Sequence, residues 1–341
     1  MNDHDNPWHE VHPGITCIET GYQRPGLAAC YLLQEGEVAA LIDTGTPFTV
    51  PTIMALLAHR GLRPDQVRYV IPTHVHLDHA GGAGRLMREL PEARLVIHPF
   101  GARHMIDPSK LAAGAKAVYG EAQFARDFGR LEPVDPERVI EAGDDRVLAL
   151  GPRTLRFLDT PGHARHHLCV WDEQSRGFFT GDTFGIAYPE LATDQGPFML
   201  LPSTPVQFDP DAWHATLDRL MAFRPERMYL THYGMVERPG ERVGYLHQAI
   251  DSYVAMARAL GDSGDERLPR LREELRKQLQ EQLRKHGCSL PQAEIDRLLA
   301  LDLDLCAQGL DVWLKRGSNR AGNPGPQVLA LPVLVRKPSS H

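Results

Sequence analysis

The sequence predicts an α/β fold in which mixed β-sheets are covered by helices, followed by a helical appendage. Three observations carry this prediction. Residues 14–98 alternate short apolar runs with helix-like segments, and the early runs are joined by hairpin turns. Residues 138–231 return to the strand pattern. From about residue 242 to residue 315, apolar residues recur at helical spacing among many charged ones.

The length of the chain limits its domain organisation, and its net charge limits the partners that it can bind. The 341 residues and 42% hydrophobic content allow one large domain with an appendage, or two modest domains. We expect a loose lead-in over residues 1–13, an α/β domain over 14–238, and a helical region with a tail over 239–341. The formal net charge of −7 offers no overall basic field, so we expect no nucleic-acid partner.

The cysteines and the amino-terminal residues predict the cellular compartment of the protein. Five cysteines are scattered along the chain without a C-x-x-C pair, which indicates reduced, buried or half-buried thiols: Cys17, Cys30, Cys169, Cys288 and Cys306. The first residues are acidic and lack an apolar leader segment, and no stretch is long and apolar enough to span a membrane. We therefore expect a cytoplasmic protein without a membrane partner.

The first half of the chain is predicted to begin with three strands. A Glu-Gly-Glu turn at residues 35–37 joins the second strand to the third, and a helix ends at Gly61. His4, His9 and His12 lie in the predicted lead-in and are interpreted as surface residues. The predicted elements up to residue 98 are strands Ile15–Thr20, Ala29–Gln34, Val38–Asp43, Val67–Pro72 and Leu95–His98, and helices Pro51–Arg60 and Gly84–Leu90.

The stretch Thr73–Gly82 concentrates three histidines and one aspartate directly after a predicted strand. Residues two apart in an extended chain face the same way, so His74 and His76 can bind one metal ion together. Asp78 and His79 follow where the chain turns, and they point to a second, neighbouring site. Imidazole and carboxylate ligands suit zinc, iron or manganese.

The second half continues with helices, strands and a long loop. We predict helices Gly101–Asp107, Ala112–Phe128 and Asp211–Phe223, and strands Arg138–Ile140, Arg146–Leu150, Thr154–Asp159, Leu168–Trp171, Gly177–Thr180 and Arg227–Thr231. His98 and His104 are interpreted as structural or solvent-facing. The loop from Phe184 to Asp209 has no periodicity and carries apolar side chains; it could form a substrate rim or cover the core.

After His232 the pattern becomes helical. One predicted helix face carries Val243, Leu246, Ile250, Tyr253, Ala257 and Leu260, and a second carries Leu268, Leu271, Leu275 and Leu279. A third stretch runs over Leu290–Leu314. These faces are too apolar to remain solvated, so they must pack on the first domain or on another chain, which leaves a homodimer open. The apolar run Val328–Val335 could add an edge strand or cross to a partner subunit.

Four motifs resemble those of the metallo-β-lactamase superfamily. The first is the His-x-His-x-Asp-His pattern that begins at His74. The later motifs are Phe157–His163, Phe178–Thr183 and Met228–Gly234, which contain His163, Asp182 and His232. The resemblance covers about residues 14–232. It implies a four-layer αβ/βα sandwich with metals at one edge between the two sheets.

The resemblance also implies a ligand set and a chemistry. Two divalent cations, with zinc favoured over iron or manganese, are expected in one site. The first cation would bind His74, His76 and His163, the second would bind Asp78, His79 and His232, and Asp182 would bridge them. Two neighbouring cations lower the pKa of a shared water from about 15.7 towards about 7, which supplies hydroxide at neutral pH. Asp78 is also the candidate catalytic residue, as a group that orients the hydroxide or passes on a proton.

The expected activity is hydrolysis of an ester, thioester or lactone carbonyl in a small, largely apolar molecule. Asp182 stands where β-lactamases of this superfamily carry cysteine or serine, so antibiotic hydrolysis is disfavoured. Two alternatives remain: a regulatory or partner-binding protein on the same fold, and a phosphodiesterase. Asp43, at a strand end, either supports the metal site or only caps its own turn.

Overall fold

Two β-sheets form the centre of the computed structural model, which describes residues 6–203, 207–261 and 264–320. The first sheet has seven strands in chain order: β1 Trp8–His12, β2 Ile15–Glu19, β3 Ala29–Glu35, β4 Val38–Ile42, β5 Val67–Ile71, β6 Arg94–Ile97 and β7 Val139–Glu141. The second has six, in the order β13-β12-β11-β10-β9-β8: β8 Arg146–Leu150, β9 Arg153–Asp159, β10 Leu168–Asp172, β11 Gly177–Gly181, β12 Arg227–Leu230 and β13 Gly234–Glu237.

Helices cover the outer faces of both sheets. In chain order the described helices are α1 Val50–His59, α2 Leu77–Ala80, α3 Ala83–Glu89, α4 Pro99–Ile106, α5 Ser109–Tyr119, α6 Glu121–Phe128, α7 Pro210–Ala222, α8 Val243–Leu260, α9 Arg267–Lys285, α10 Gln292–Leu298 and α11 Ala300–Arg320. No helix in the described ranges combines the length and apolarity needed to cross a membrane.

The alternation of side chains along the strands produces four layers. In β3, Cys30 and Leu32 pack with α1 and α3, whereas Tyr31 and Leu33 face the other way into the core between the sheets. The second sheet likewise contributes Phe157 to that inner core. Its outer face packs on α7 and the carboxyl-terminal helices. The predicted αβ/βα sandwich with a helical appendage is confirmed.

Parallel strand pairs bring the motif loops to one edge. β5 lies parallel to β4, and β12 lies parallel to β11. Loops that follow parallel strands leave the sheet at the same end. The loop after β5 carries the first histidine motif, and those after β11 and β12 carry Asp182 and His232. The topology thus gathers residues that are far apart in sequence.

Two strands differ from the sequence prediction. The expected loose lead-in is wrong for Trp8–His12, which pairs antiparallel with β2. Pro7 and Pro13 lie outside this strand, so neither interrupts its ladder, and Trp8 packs 5.8 Å from the His59 ring. The strand Arg227–Leu230 is also not the last one, because Gly234–Glu237 returns antiparallel to it. The boundary at residue 238 stays a prediction.

Two predicted helical stretches are each divided. Ala112–Phe128 was expected to be one helix, but Gly120 has φ +80° and separates α5 from α6. A positive φ breaks a right-handed helix, and glycine adopts it without strain. The stretch Leu290–Leu314 forms α10 and α11 in place of one helix. The helix boundaries elsewhere fall within about two residues of those predicted.

The long loop before α7 covers core and does not form an apolar rim. Phe184, Tyr188 and Phe198 are each at most 3% exposed and join the core that includes the carboxyl-terminal helices. Phe198 lies between the rings of Tyr245 and His286. The rim prediction fails because α8, α9 and α11 pack over this loop. Those helices bury the faces that the sequence predicted, so the appendage docks on the first domain.

Two further predictions concern the five cysteines and the carboxyl-terminal tail. All five cysteines are free; four are buried and Cys288 is half-buried, as expected. The predicted apolar run Val328–Val335 lies outside the described residues, and so does His4.

Candidate metal centre

Seven polar side chains meet at the edge where the two sheets face each other. They come from the loop after β5, the short helix α2, and the loops after β9, β11 and β12. Their ligand atoms form two groups, each gathered within 4.8 Å: His74, His76, His163 and Asp182 in the first, and Asp78, His79 and His232 in the second. The structure therefore brings together every residue of the predicted ligand set.

Asp182 lies between the two groups. Its Oδ1 is 3.2 Å from Nε2 of His79 and 3.6 Å from Nε2 of His232. Its Oδ2 is 3.4 Å from Nε2 of His163. One carboxylate oxygen thus faces each group, which is the arrangement a bridging ligand requires.

The first group presents neutral imidazoles. His76 Nδ1 lies 2.8 Å from His74 Nε2 and 3.2 Å from His163 Nε2. Burial lowers the pKa of all three histidines, and it lowers the pKa of His76 to about 3. Neutral imidazole is the form that binds metal, so this group needs no deprotonation near pH 7.

In the second group, neighbouring carboxylates raise the pKa values of the two histidines. Asp78 Oδ2 is 3.3 Å from His232 Nε2 and 3.7 Å from His79 Nε2. Burial lowers the pKa of both histidines, but Asp182 and Asp78 outweigh it and raise the pKa of each above its ordinary value. Protons therefore compete with a cation more strongly in this group than in the first group.

Backbone carbonyls orient two of the imidazoles. His163 Nδ1–H donates to the Pro202 carbonyl at 2.9 Å, and His232 Nδ1–H donates to the Leu27 carbonyl at 2.6 Å. A carbonyl can only accept, so Nδ1 carries a proton and Nε2 is the ring atom that faces the centre. Such outer hydrogen bonds fix the tautomer and the ring orientation of metal-binding histidines.

Asp43 performs the same task for His79. Its Oδ2 lies 2.9 Å from His79 Nδ1 and accepts from Thr231 Oγ1 at 2.6 Å. Its Oδ1 accepts from the Thr73 backbone N–H at 2.7 Å. The sequence left two roles open for Asp43, and the structure favours support of the metal site because the carboxylate is fully buried beside His79.

His167 supports Asp182 from behind. The Asp182 backbone N–H points at His167 Nε2 at 3.3 Å, and Thr160 Oγ1 lies 2.9 Å from Nδ1 of the same ring. His167 therefore has a hydrogen-bonding role between the loops that follow β9 and β11. No sequence pattern indicates the particular partners of His167, because they depend on how the loops after β9 and β11 meet.

Gly162 allows the loop after β9 to approach α7. A Cβ atom at Gly162, whose φ is +136°, would lie 2.5 Å from the Cβ of Trp213. The Trp213 ring packs 5.8 Å from the His163 ring. The glycine of the motif is therefore required by close packing, and this packing holds His163 against the centre.

Two buried atoms indicate that the centre suits a cation. His79 Nε2 and Asp182 Oδ1 are inaccessible to water and make no well-aligned hydrogen bond among the described residues, although they lie 3.2 Å from each other. Unpaired buried polar atoms destabilise a fold, and an ion between them would satisfy both. Five imidazoles and two carboxylates suit zinc, iron or manganese.

Two further histidines near the centre, His98 and His166, do not belong to the seven-residue cluster. His98 accepts from the Phe100 N–H at the start of α4 and lies 3.2 Å from Asp159 Oδ1, so its predicted structural role is confirmed. His166 is buried with its ring 5.7 Å from that of His76. Its Nδ1 has no hydrogen-bond partner in the described part of the chain.

The family of this chain is shown by a match to a protein-family model. The model of the metallo-beta-lactamase superfamily matches residues 24–232. The chain belongs to this superfamily. Members of the superfamily bind divalent metals and are hydrolases, and the seven-residue cluster lies within the matched range or at its last residue.

Three known proteins are similar to this chain in sequence or in fold. A metallo-beta-lactamase fold-containing protein of Sulfurisphaera tokodaii is 26% identical over 65% of this chain and 79% of its own length. An acyl-coenzyme A thioesterase of Homo sapiens is 28% identical over 48% of this chain, and the alignment spans 61% of that thioesterase. The structure of a Thermus thermophilus family protein matches 91% of this chain and 95% of its own with a TM-score of 0.63 at 20% identity. The last comparison shows a shared fold only.

Proposed function

We propose that this protein is a hydrolase that uses two divalent cations to cleave an ester, thioester or lactone carbonyl. The observation that carries the proposal is Asp182, whose two oxygens face the two ligand groups separately. His74, His76 and His163 would hold the first cation and the members of the second group the other, with zinc favoured. Such cations supply hydroxide from a shared water and polarise a carbonyl oxygen.

Asp78 is the candidate for moving the proton. Its side chain is 23% exposed, whereas those of His79, His232 and Asp182 are at most 7% exposed. Burial opposes its ionisation, but His79 and His232 outweigh this effect and hold the pKa of Asp78 below its ordinary value. The Asp78 carboxylate is thus ionised and is the most exposed of these four side chains, so it is the candidate to take a proton and return it to the leaving group.

An aromatic wall beside Asp78 suits an apolar acyl group. Burial, with a further contribution from the Asp78 charge, raises the pKa of Tyr22 and Tyr119. Both rings pack 5.5 Å from Phe128. Phe48, which packs against Gly129, is 55% exposed. This wall replaces the long loop as the proposed contact for the substrate chain. Tyr119 and Phe128 come from α5 and α6, between the first two motifs, whereas Tyr22 and Phe48 come from loops that precede the first motif.

Similarity to known proteins favours thioesters as the first substrates to test. The human relative is named as an acyl-coenzyme A thioesterase, although the alignment covers only part of each chain. A thioester offers a polarisable carbonyl and a leaving thiolate that needs little protonation. The net charge of −7 disfavours a polyanionic nucleic acid as substrate.

The test is a series of acyl-coenzyme A substrates of increasing chain length, with released thiol measured by a chromogenic reagent. Each methylene that becomes buried contributes about 0.8 kcal/mol, so kcat/KM should rise up to about fourfold per carbon until the wall is filled. Tyr119→Ala should flatten this rise. Phe100→Ala, which removes an aromatic ring 62% exposed on α4, should leave it unchanged.

Two outcomes would overturn the proposal. Faster cleavage of bis(p-nitrophenyl) phosphate than of every acyl substrate would assign the protein to phosphodiesterases. Absence of any chelator-sensitive turnover, in protein shown to contain metal, would favour the regulatory or partner-binding alternative. Retention of turnover after complete metal removal would contradict the proposed chemistry itself.

A further inference from the structure

A second cluster of histidines and aspartates lies outside the metal centre, between α7 and α8. Each helix carries a histidine followed four residues later by an aspartate: His214 and Asp218 on α7, and His247 and Asp251 on α8. Residues four apart lie on the same helix face, so each pair points in one direction. The two pairs face each other across the contact between the helices.

The geometry of this cluster is reciprocal. His214 Nε2 lies 3.2 Å from Asp251 Oδ1, and His247 Nε2 lies 3.3 Å from Asp218 Oδ1. The two Nδ1 atoms are 2.6 Å apart, and the rings are within 3° of parallel. Each histidine is therefore oriented by the aspartate of the opposite helix.

This arrangement has an electrostatic consequence. An ionised carboxylate only accepts hydrogen bonds, so each Nε2 carries its proton towards an aspartate. In neutral histidines this leaves a lone pair on each Nδ1, and the two lone pairs face each other. They repel at 2.6 Å unless an electron-poor species lies between them. That species is either a shared proton or a metal ion.

We propose that His214 and His247 bind a divalent first-row cation, Zn²⁺ above all, through their Nδ1 atoms. An Nε2–H that donates to a carboxylate is the outer hydrogen bond typical of metal-binding histidines. The imidazole side chains are 28% and 27% exposed, so water can complete the coordination shell. Zn–N distances of about 2.1 Å at a tetrahedral angle would set the Nδ1 separation to about 3.4 Å. The two rings, which meet head-on, would therefore have to move apart by about 0.8 Å and tilt to admit the ion.

A cation at this position would connect the helical region to the metal centre. α8 is the first helix of the helical region. On α7, His214 follows Trp213, whose ring packs against His163 and whose Nε1–H donates to the Thr183 carbonyl at 2.7 Å. Zinc at the α7–α8 cluster would thus hold α8 against the helix that supports a ligand of the centre.

The test measures zinc uptake in the whole protein. Wild type and the double variant His214→Gln, His247→Gln are saturated with zinc, freed of excess, and titrated with ZnSO₄ against a chromogenic competitor. Wild type should bind one more zinc per chain than the double variant. His9→Gln, which removes an exposed histidine on β1, is the matched control and should behave as wild type. Far-UV circular dichroism and the tightly held metal content verify that each variant is folded.

The aspartates give an independent readout. Asp218→Asn and Asp251→Asn keep the helices intact but weaken the outer hydrogen bonds, so each should lower the affinity of this zinc about tenfold or more. Equal zinc uptake by wild type and the double variant would overturn the proposal. So would ¹⁵N NMR signals of His214 and His247 that respond to pH but not to zinc, because a shared proton would then explain the contact.

Discussion

The carboxylate of Asp302 should reduce the stability of the protein at neutral pH. Asp302 lies on α11 and borders a cavity of about 10 Å³, next to Leu201 and Cys306. Its Oδ1 accepts from the Tyr188 hydroxyl at 3.0 Å, but its Oδ2 is shielded from water and has no hydrogen-bond partner among the described residues. We predict that Asp302→Asn stabilises the fold above pH 6.

The magnitude follows from the pKa of this group. Burial raises the pKa of Asp302 from 3.8 to about 6. A difference of about 2 pKa units corresponds to about 3 kcal/mol at 1.36 kcal/mol per unit, an upper bound because the residue is only half-buried as a whole. Below pH 4 both folded and unfolded states hold the proton, so the penalty is absent. It develops as the pH rises from about 4 to about 6 and is complete above that.

Urea denaturation of wild type and Asp302→Asn at pH 4, 5, 6 and 7.5 measures this effect. The free energy of unfolding of the variant should exceed that of wild type by up to about 3 kcal/mol at pH 7.5, and the difference should vanish near pH 4. The asparagine Oδ1 still accepts from Tyr188, so this hydrogen bond is kept. Asp265→Asn, an exposed carboxylate in the helical region, is the control. A difference that is constant with pH, or a destabilised variant at pH 7.5, would refute the reasoning.

Three further predictions concern the centre and the core. Asp43→Asn should weaken metal binding about 10- to 100-fold in chelator competition, because Asp43 orients His79; the exposed Asp65→Asn should not, and equal losses would contradict this. Acidification should release metal from the second group first, because the pKa values of His79 and His232 are raised while those in the first group are lowered; simultaneous release of both metals would argue against it. Phe198→Ala should destabilise the protein by about 3 kcal/mol without changing acyl-chain selectivity, and a changed selectivity would return the loop to the substrate site.

The sequence predicted the fold and the cluster because both depend on local patterns. Strand and helix periods are visible within ten residues, and each ligand motif directly follows a strand. Asp43 was left undecided because its partners Thr73 and Thr231 lie 30 and 188 residues away. The periodicity of a short segment does not indicate which residues of one loop will contact another loop.

The features missed from the sequence depend on packing between distant elements. The loop around Phe198 has the composition of a substrate rim, and only the helices packed over it make it core. The strand Gly234–Glu237 is four residues long and follows a metal motif, so its pattern is too short to recognise. The contact between His214 and His247 spans 33 residues and two helices.

The central claim is that two cations, joined through Asp182, act on an acyl carbonyl. Its most direct test is a titration of metal-free protein with Zn²⁺ in which bound metal and acyl-coenzyme A turnover are measured together. Turnover should rise to its plateau only as the second equivalent binds, and Asp182→Ala should lose both the second equivalent and the turnover. Full turnover at one equivalent, or two tightly bound metals in Asp182→Ala with unchanged turnover, would contradict the account.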